Sequence, residues 1–365
     1  MSETALSHHR WMNVALTAAS KIIGHSAENP PVGCAIIDQK GHLVGVGHTA
    51  AGGRPHAETE ALSQAGDKAR GGEAFVTLEP CAHTGKTPPC ALALIQAGIR
   101  SVHIAIGDPD PRVSGKGIAM LEDAGVTTTL GIGAERAKQQ MAGFLSRQLK
   151  NRPYLCLKMA SSADGFIAKH PGEQYWLTGE IARRYVHDLR SRHDILLTAR
   201  GTIQADNPQL NVRLKGWQAS QPDLAILSRT GQIAPQNALF NEDRLVRLYH
   251  EPQAKLSAMP GCVIPSAVTL DERGLSLNAV LADLAAQGYS RVMVEAGAQL
   301  ADSLLSADLV DELIWLRAPH RLKTGIKAWK SSDNLDFSAP DGYIKHREFS
   351  LGADTVSIFY PSTRA

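Results

Sequence analysis

The chain has 365 residues, a formal net charge of +2 and five cysteines. At about 150 residues per domain, that length suits two domains. A near-neutral charge with no long basic run argues against duplex nucleic acid as the main partner, and no apolar run approaches the about 18 residues of a membrane span.

Apolar residues recur at helical spacing over 11–23, and Gly24 ends that pattern. Asn29-Pro30-Pro31-Val32-Gly33 reads as a turn. The apolar runs 34–37 and 43–48, joined at Gly41-His42, read as a hairpin. A helix opens at His56-Ala57-Glu58 and runs to 65, and a strand covers 74–78. Pro80-Cys81 ends that strand, and Pro88-Pro89-Cys90 opens a helix to 97. A strand at 101–106, a short helix at 117–124, a strand at 126–130 and one long helix at 134–150 complete a first domain, 1–150. Asn151-Arg152-Pro153 reads as a linker.

In the second domain, 151–365, strands are predicted at 154–160, 195–198, 224–227, 245–248, 292–294 and 313–316. Helices are predicted at 179–192, 275–287 and 299–307, and a closing hairpin pairs 346–349 with 355–360. Strands alternating with helices predict an α/β class for both halves, with much parallel pairing.

His56, Cys81 and Cys90 offer one imidazole and two thiols. A catalytic zinc keeps three such protein ligands and leaves a fourth position for water. Glu58, two residues after His56, is placed to take a proton and hand it on. His-x-Glu followed by Pro-Cys-x-x-Cys is the signature of zinc deaminases, with the glutamate not a ligand. Here eight residues, not two, separate the cysteines. A closed structural site with His83 as fourth ligand is the other reading of the same residues. Cys34, Cys156 and Cys262 have no partner at metal spacing and read as buried thiols. An odd cysteine count and a polar segment from Met1 to Arg10 lead us to expect a cytoplasmic protein without a disulfide framework.

On these residues the first domain resembles the cytidine-deaminase fold. The run Pro80-Cys81-x-His83-x-Gly85-x-Thr87-Pro88-Pro89-Cys90 is similar to the deaminase of riboflavin biosynthesis, whereas nucleoside, transfer-RNA and polynucleotide deaminases use the short spacing. Asn29-Pro30, Val32-Gly33 and Gly45-x-Gly47 match as well. The resemblance implies one zinc ion held by His56, Cys81 and Cys90, with Glu58 as proton shuttle and Asn29 bonding the pyrimidine. On its own, Asn29 also reads as the brace of a turn. His48 and His83 read either as phosphate contacts or as solvent-facing.

The second domain carries Leu157-Lys158-x-Ala160-Ser161-x-x-Asp164-Gly165, Trp176-Leu177-Thr178 and His187-x-x-Arg190 with Asp194. Gly201-Thr202-x-x-x-Asp206-x-Pro208-x-Leu210-x-Val212-Arg213, Glu295-Ala296-Gly297 and Leu309-Val310-Asp311-Glu312 follow. In this order they resemble the pyrimidine reductase that accompanies that deaminase in a bifunctional family. That reductase is similar to dihydrofolate reductase in fold and uses NADPH. The resemblance implies an NADPH site lined by Ala160, Trp176, Thr202, Asp206 and the loop from Gly297. It implies a substrate site lined by Gln174, Arg190, Leu210, Arg213 and Glu295, where arginines offer a rigid fork to a ribose phosphate. Lys158 either meets the substrate or pairs with a carboxylate, and Asp164 either works near the sugar or ties a turn. Ala199, Asn207 and Ser228 depart from the family on the NADPH side, where a glycine and two aspartates are usual.

The expected function is therefore two consecutive steps on a pyrimidine ribosyl phosphate: zinc-dependent hydrolysis of an exocyclic amine, then NADPH reduction of ribosyl to ribityl. A homo-oligomer, a dimer through the reductase domain, is the family expectation, with neither nucleic acid nor membrane as partner. Two other readings are a deaminase of free bases, nucleosides or RNA with a non-catalytic second domain, and a zinc-stabilised binding module without chemistry. The long cysteine spacing and the ordered motifs from Lys158 to Arg213 weigh against both.

Overall fold

Asn151, with a left-handed φ of 52°, precedes the break that divides the chain into units Met1–Arg152 and Pro153–Ala365. The computed structural model describes residues 3–84, 88–110, 114–170, 176–329 and 340–362. Gln174 and the Gly85-Lys86-Thr87 part of the cysteine loop lie outside the described residues.

The first unit runs α1 (Glu3–Ser20), β1 (Gly33–Ile37), β2 (Leu43–His48), α2 (Ala57–Ala65), β3 (Glu73–Leu78) and α3 (Cys90–Gln96). It continues with β4 (Ser101–Ile106), α4 (Lys116–Asp123), β5 (Thr127–Leu130), α5 (Ala134–Gln140) and α6 (Ala142–Lys150). Its sheet has the order β2-β1-β3-β4-β5. The hairpin and the β1–β3 pair are antiparallel, and β3, β4 and β5 are parallel. β1 is buried along its whole length and β3 nearly so, as expected of central strands covered on both faces. The single helix expected over 134–150 is two helices, broken at Met141 (φ −92°, ψ 11°). Met141 is fully buried, and the break turns both Ala137 and Phe144 into the same core.

Three glycines set how closely the helices lie on this sheet. A Cβ on Gly33 would fall 1.9 Å from the carbonyl oxygen of Ala15 in α1. On Gly45 and Gly47 it would fall 2.2 Å from the carbonyl oxygens of Ala61 and Ala57 in α2. The facing side of α2 is correspondingly small: Ala57, Ala61 and Ala65, all buried. Glu60 ties the two elements together by accepting from His48 N at 2.7 Å.

The second unit runs β6 (Tyr154–Ser161), β7 (Phe166–Ala168), α7 (Glu180–Arg190), β8 (Ile195–Ala199), α8 (Arg200–Asp206), β9 (Asp223–Leu227), β10 (Val246–His250) and β11 (Val263–Ala267). The hairpin β12 (Leu270–Asp271) and β13 (Gly274–Leu275) leads to α9 (Leu277–Ala286), β14 (Arg291–Glu295), α10 (Ala298–Ser306) and β15 (Glu312–Arg317). β16 (Ile326–Lys327) pairs with β7, and β17 (Tyr343–Leu351) with β18 (Asp354–Pro361) forms the closing hairpin. Among the described residues, nine strands form one sheet in the order β11-β10-β9-β8-β14-β6-β15-β18-β17. It is parallel except where β18 meets β15 and β17.

Alternate residues of the central strands feed two cores. Leu155, Leu157, Ile195 and Leu197 pack with α9 and α10 on one face, and Cys156 and Leu196 pack with α7 and Ile203 of α8 on the other. Helices thus cover both faces of a mainly parallel sheet. Among the described residues, no helix is long and apolar enough to cross a membrane.

Gly47→Ala should push the first turn of α2 off β2, because the new methyl meets backbone that cannot rotate away. We expect a loss of about 2 kcal/mol or more of stability in the first unit, together with weaker zinc retention. Urea titration and metal analysis of the variant check this; unchanged stability with full zinc content would contradict it.

Candidate active sites

His56 is the N-cap of α2 but makes no side-chain cap bond; its ring turns to the sulfurs instead. Nδ1 lies 3.3 Å from Cys90 Sγ and 3.9 Å from Cys81 Sγ. Tetrahedral zinc with its usual bond lengths needs nitrogen–sulfur edges of about 3.6 Å. The three ligand atoms all fall within 4.8 Å of one another. Cys90 begins α3, and its backbone N–H donates to Cys81 Sγ at 3.3 Å. Hydrogen bonding with Cys90 is the largest cause holding the Cys81 thiol down to about 4, and that shared proton pushes Cys90 up. His83 is exposed and is not part of the ligand group found among the described residues.

Glu58 sits in the first turn of α2, 4% exposed. Burial pushes its carboxyl up to about 7. Asn29 lies over Gly53: a Cβ there would fall 2.1 Å from Asn29 Nδ2. The Asn29 backbone is also engaged, its carbonyl accepting from Ser26 Oγ at 2.7 Å. His48 Nδ1 meets the Thr49 carbonyl at 2.9 Å.

One residue of this site carries no role in the sequence reading. Glu79, between β3 and Pro80-Cys81, is buried. Its Oε1 accepts from Gly117 N at 3.0 Å and Ile118 N at 3.3 Å, and its Oε2 from Gly115 N at 3.1 Å and Asp108 N at 3.2 Å. Four backbone donors on one carboxylate fix the turn that presents Cys81. The only sequence sign is a charged residue at the end of an apolar strand.

His8, Glu73 and His103 also bring ligand atoms within 4.8 Å. Here Arg100 already sits on Glu73 Oε1 at 2.6 Å and His103 on Oε2 at 2.8 Å. That carboxylate is satisfied by a fixed cation, which marks an ion-pair network.

In the second unit a cavity of roughly 2310 Å³ opens at the carboxyl ends of the parallel strands, where open α/β sheets bind their ligands. It is lined by Ala160, Trp176, Thr202, Asp206 and Gly297, and by Arg190, Leu210, Arg213, Glu295 and Lys158. Asp164 is not among the lining residues. Its carboxylate accepts from Ser162 Oγ, Leu322 N and Lys323 N at 2.6, 3.0 and 2.8 Å, so the structure favours the turn-tying reading.

Glu295 ends β14, 8% exposed. Arg190 grips it in bidentate fashion, Nε to Oε1 at 2.5 Å and Nη2 to Oε2 at 3.0 Å, and Lys158 Nζ lies 3.6 Å from Oε2. Burial alone would raise this carboxyl; Arg190 and Lys158 outweigh it and hold it down to about 2. Arg190 lines the cavity while its fork rests on Glu295, and its Nη1 donates to the Asn211 carbonyl at 2.9 Å. Lys158 pairs with a carboxylate and still faces the cavity. Burial also raises Asp206, which Lys158 opposes.

The loop that carries Leu210 and Arg213 depends on a residue the sequence does not advertise. Arg244 is 6% exposed. Its Nη1 donates to Leu210 O at 2.5 Å, and its Nη2 donates to Gln209 O at 2.6 Å and Leu239 O at 3.1 Å. It holds Leu210 at a φ of 48°, a conformation that a side chain adopts only under constraint. Arg213 is exposed and bonds Gln209 Oε1 at 2.7 Å and Asn211 Oδ1.

Residues 6–106 match the family model of the cytidine and deoxycytidylate deaminase zinc-binding region. Residues 153–322 match that of the RibD C-terminal domain. The riboflavin biosynthesis protein RibD of Haemophilus influenzae is 37% identical over 362 residues, covering 96% of each chain. That of Escherichia coli is 37% identical over 339 residues, covering 88% of this chain and 90% of the relative. Among solved structures, RibD of Acinetobacter baumannii superposes with a TM-score of 0.86 at 34% identity, covering 98% of this chain and 99% of that one. A diaminohydroxyphosphoribosylaminopyrimidine deaminase/5-amino-6-(5-phosphoribosylamino)uracil reductase of Thermotoga maritima gives 0.88 at 30% identity, covering 98% and 100%.

Glu295 gives the second unit an acid sensitivity of defined sign. Its folded carboxyl is depressed, so its contribution is complete above the ordinary carboxylate value of about 4.3 and is lost as pH falls toward about 2. Glu295→Gln should start less stable, with Arg190 and Lys158 left without their carboxylate. It should then lose less stability than wild type across that window. Urea midpoints followed by circular dichroism at several pH values test this; parallel slopes for the two proteins would refute it.

Proposed function

Because the chain belongs to the RibD family of bifunctional riboflavin-biosynthesis enzymes, we propose that residues 1–150 are its deaminase and 151–365 its reductase, each working through the residues gathered above. The protein catalyses two consecutive steps. It hydrolytically deaminates 2,5-diamino-6-(5-phosphoribosylamino)pyrimidin-4-one. It then reduces the ribosyl side chain with NADPH, giving 5-amino-6-(5-phosphoribitylamino)uracil. The observation that carries the site assignment is the convergence of His56, Cys81 and Cys90 beside a buried Glu58.

The donor set fits zinc. One imidazole and two thiolates offset the ion's double charge and leave a position open. When bound, zinc supplies a hydroxide nucleophile near neutral pH. The protein's own work falls to Glu58, which is shielded from bulk water and next to the ligands. It takes one proton at its carboxylate from the attacking water and passes it to the ring nitrogen, then takes a second from the hydroxyl now on the carbon and passes it to the departing amine. Asn29, braced over Gly53, orients the pyrimidine.

The second cavity fits a dinucleotide. Gly201 and Gly297 present bare backbone to it, with no atom within 4 Å of where a Cβ would stand, so amides there approach a pyrophosphate freely. When bound, NADPH supplies the hydride. Ala160, Trp176, Thr202 and Asp206 line the cofactor side, and Arg190, Leu210, Arg213, Glu295 and Gln174 the substrate side. Arg190 acts by holding Glu295 ionised and aimed, leaving Arg213 as the freer cation for a ribose phosphate. Lys158 lies between the two groups, where it can hold or donate a proton as the sugar ring opens. A homodimer through the second unit and a cytoplasmic location complete the reading; an odd count of five cysteines, two of them at metal spacing, supports the latter.

Mass spectrometry of the diaminopyrimidinone substrate incubated with enzyme tests the whole reading. Exchange of an amino group for oxygen is expected without NADPH, and gain of a hydride and a proton with it. No deamination would sink the first assignment, and deamination without reduction the second. Glu58→Gln should keep one zinc per chain and lose deamination by about 10³-fold; near-normal turnover would remove Glu58 from the mechanism. Arg190→Ala should lower kcat/KM for reduction by about 100-fold through the unpaired Glu295 and leave deamination intact. Loss of both activities in a folded protein would contradict separate sites.

A further inference from the structure

NADPH and NADH differ only by a phosphate monoester on the adenosine ribose, so a protein that distinguishes them must place a cation where that phosphate lies. The sequence singles out no such residue; the structure does. Ala199 and Leu227 are register partners in the parallel β8–β9 pair. The segments that follow them, Arg200 and Ser228-Arg229, therefore leave the sheet side by side, and all three residues line the cavity. Arg200 leans on Thr230, Nη1 to Oγ1 at 3.4 Å.

The cations of this cavity are not equally engaged. Arg190 is held by Glu295, and Arg229 by Glu251 at 2.8 Å. Arg200 is in no ion pair among the described residues, and its Nε is buried without a hydrogen-bond partner. A planar, always-charged fork with a neighbouring hydroxyl is the arrangement suited to a phosphate dianion.

We propose that Arg200, supported by Thr230, binds the ribose phosphate of NADPH and is the residue that makes this reductase select NADPH over NADH. The proposal rests on the reductase reading of the second unit. It assigns a specificity role to a residue that follows directly on the family departure at Ala199.

The test is binding rather than turnover. NADPH and NADH are titrated separately into the full-length protein, with nucleotide fluorescence or calorimetry as readout, and adenosine 2′-phosphate against adenosine 5′-phosphate as minimal probes. Wild type should bind NADPH at least about 10-fold tighter than NADH. Arg200→Gln, which keeps the bulk of the side chain, should weaken NADPH by about 10- to 100-fold, the usual value of a charged hydrogen-bonded contact. It should leave NADH within about 3-fold of wild type and reduce the salt dependence of NADPH binding. Thr230→Val should shift NADPH in the same direction by a smaller factor, and Arg200→Lys should recover part of the loss. Equal weakening of both dinucleotides would overturn the proposal and make Arg200 a general support of the cavity. Equal binding of both by wild type would overturn it while leaving a reductase in place. Failure of wild type to bind either would overturn the reductase reading along with it.

Discussion

A helix approaches a strand only as closely as the side chains between them permit, and at Gly45 and Gly47 there are none. This contact sets the depth of α2 in the first unit. It brings the helix N-terminus, with His56 at the cap and Glu58 in the first turn, down to the level of the strand ends. Cys81 and Cys90 arrive there from the other side, off β3 and at the start of α3. The ligand geometry thus follows from backbone-to-backbone packing, which has little freedom to drift. Glu79 supplies the second fixed distance by tying the Cys81 turn to four backbone amides.

The second unit reaches the same end by other means. Its cavity is open and wide, and precision comes from charge. Glu295 is held by one bidentate arginine and one lysine, and Arg244 stitches a strained loop to its neighbours through backbone carbonyls. Two cations around one buried carboxylate leave an excess positive charge on the wall of the cavity, where we propose that a phosphorylated sugar binds. Such a site needs no basic surface, which fits a chain whose overall charge is +2.

Much of this was legible in the sequence, and the rest was hidden for physical reasons. Elements with a clean period or an apolar run, such as 43–48 and 101–106, were placed to the residue. The cluster of His56, Cys81 and Cys90 was legible because metal chemistry restricts both residue type and spacing. The break at Met141 was not, since helical periodicity continues across it and only tertiary packing turns the chain. α8 was missed because Ile203 is its sole deeply buried apolar residue. β11 was missed because Pro265 interrupts a largely exposed edge strand, where proline is tolerated. Arg190 was legible as a residue of this cavity, but its grip on Glu295 was not: sequence reveals an arginine, not which partner holds its fork. Arg244 and Glu79 spend their charge on backbone groups, which leave no trace in residue identity.

Among the described residues, the buried hydrophobic core of the first unit draws on residues 11–144, and those of the second on residues 155–359. Each active centre therefore has a scaffold complete in itself, and the peptide bond at 152–153 adds something other than a fold. It equalises copy number. Every ribosome that finishes this chain delivers one hydrolytic and one reductive centre, so the ratio of the two catalysts in a cell is set by translation and holds at any level of expression.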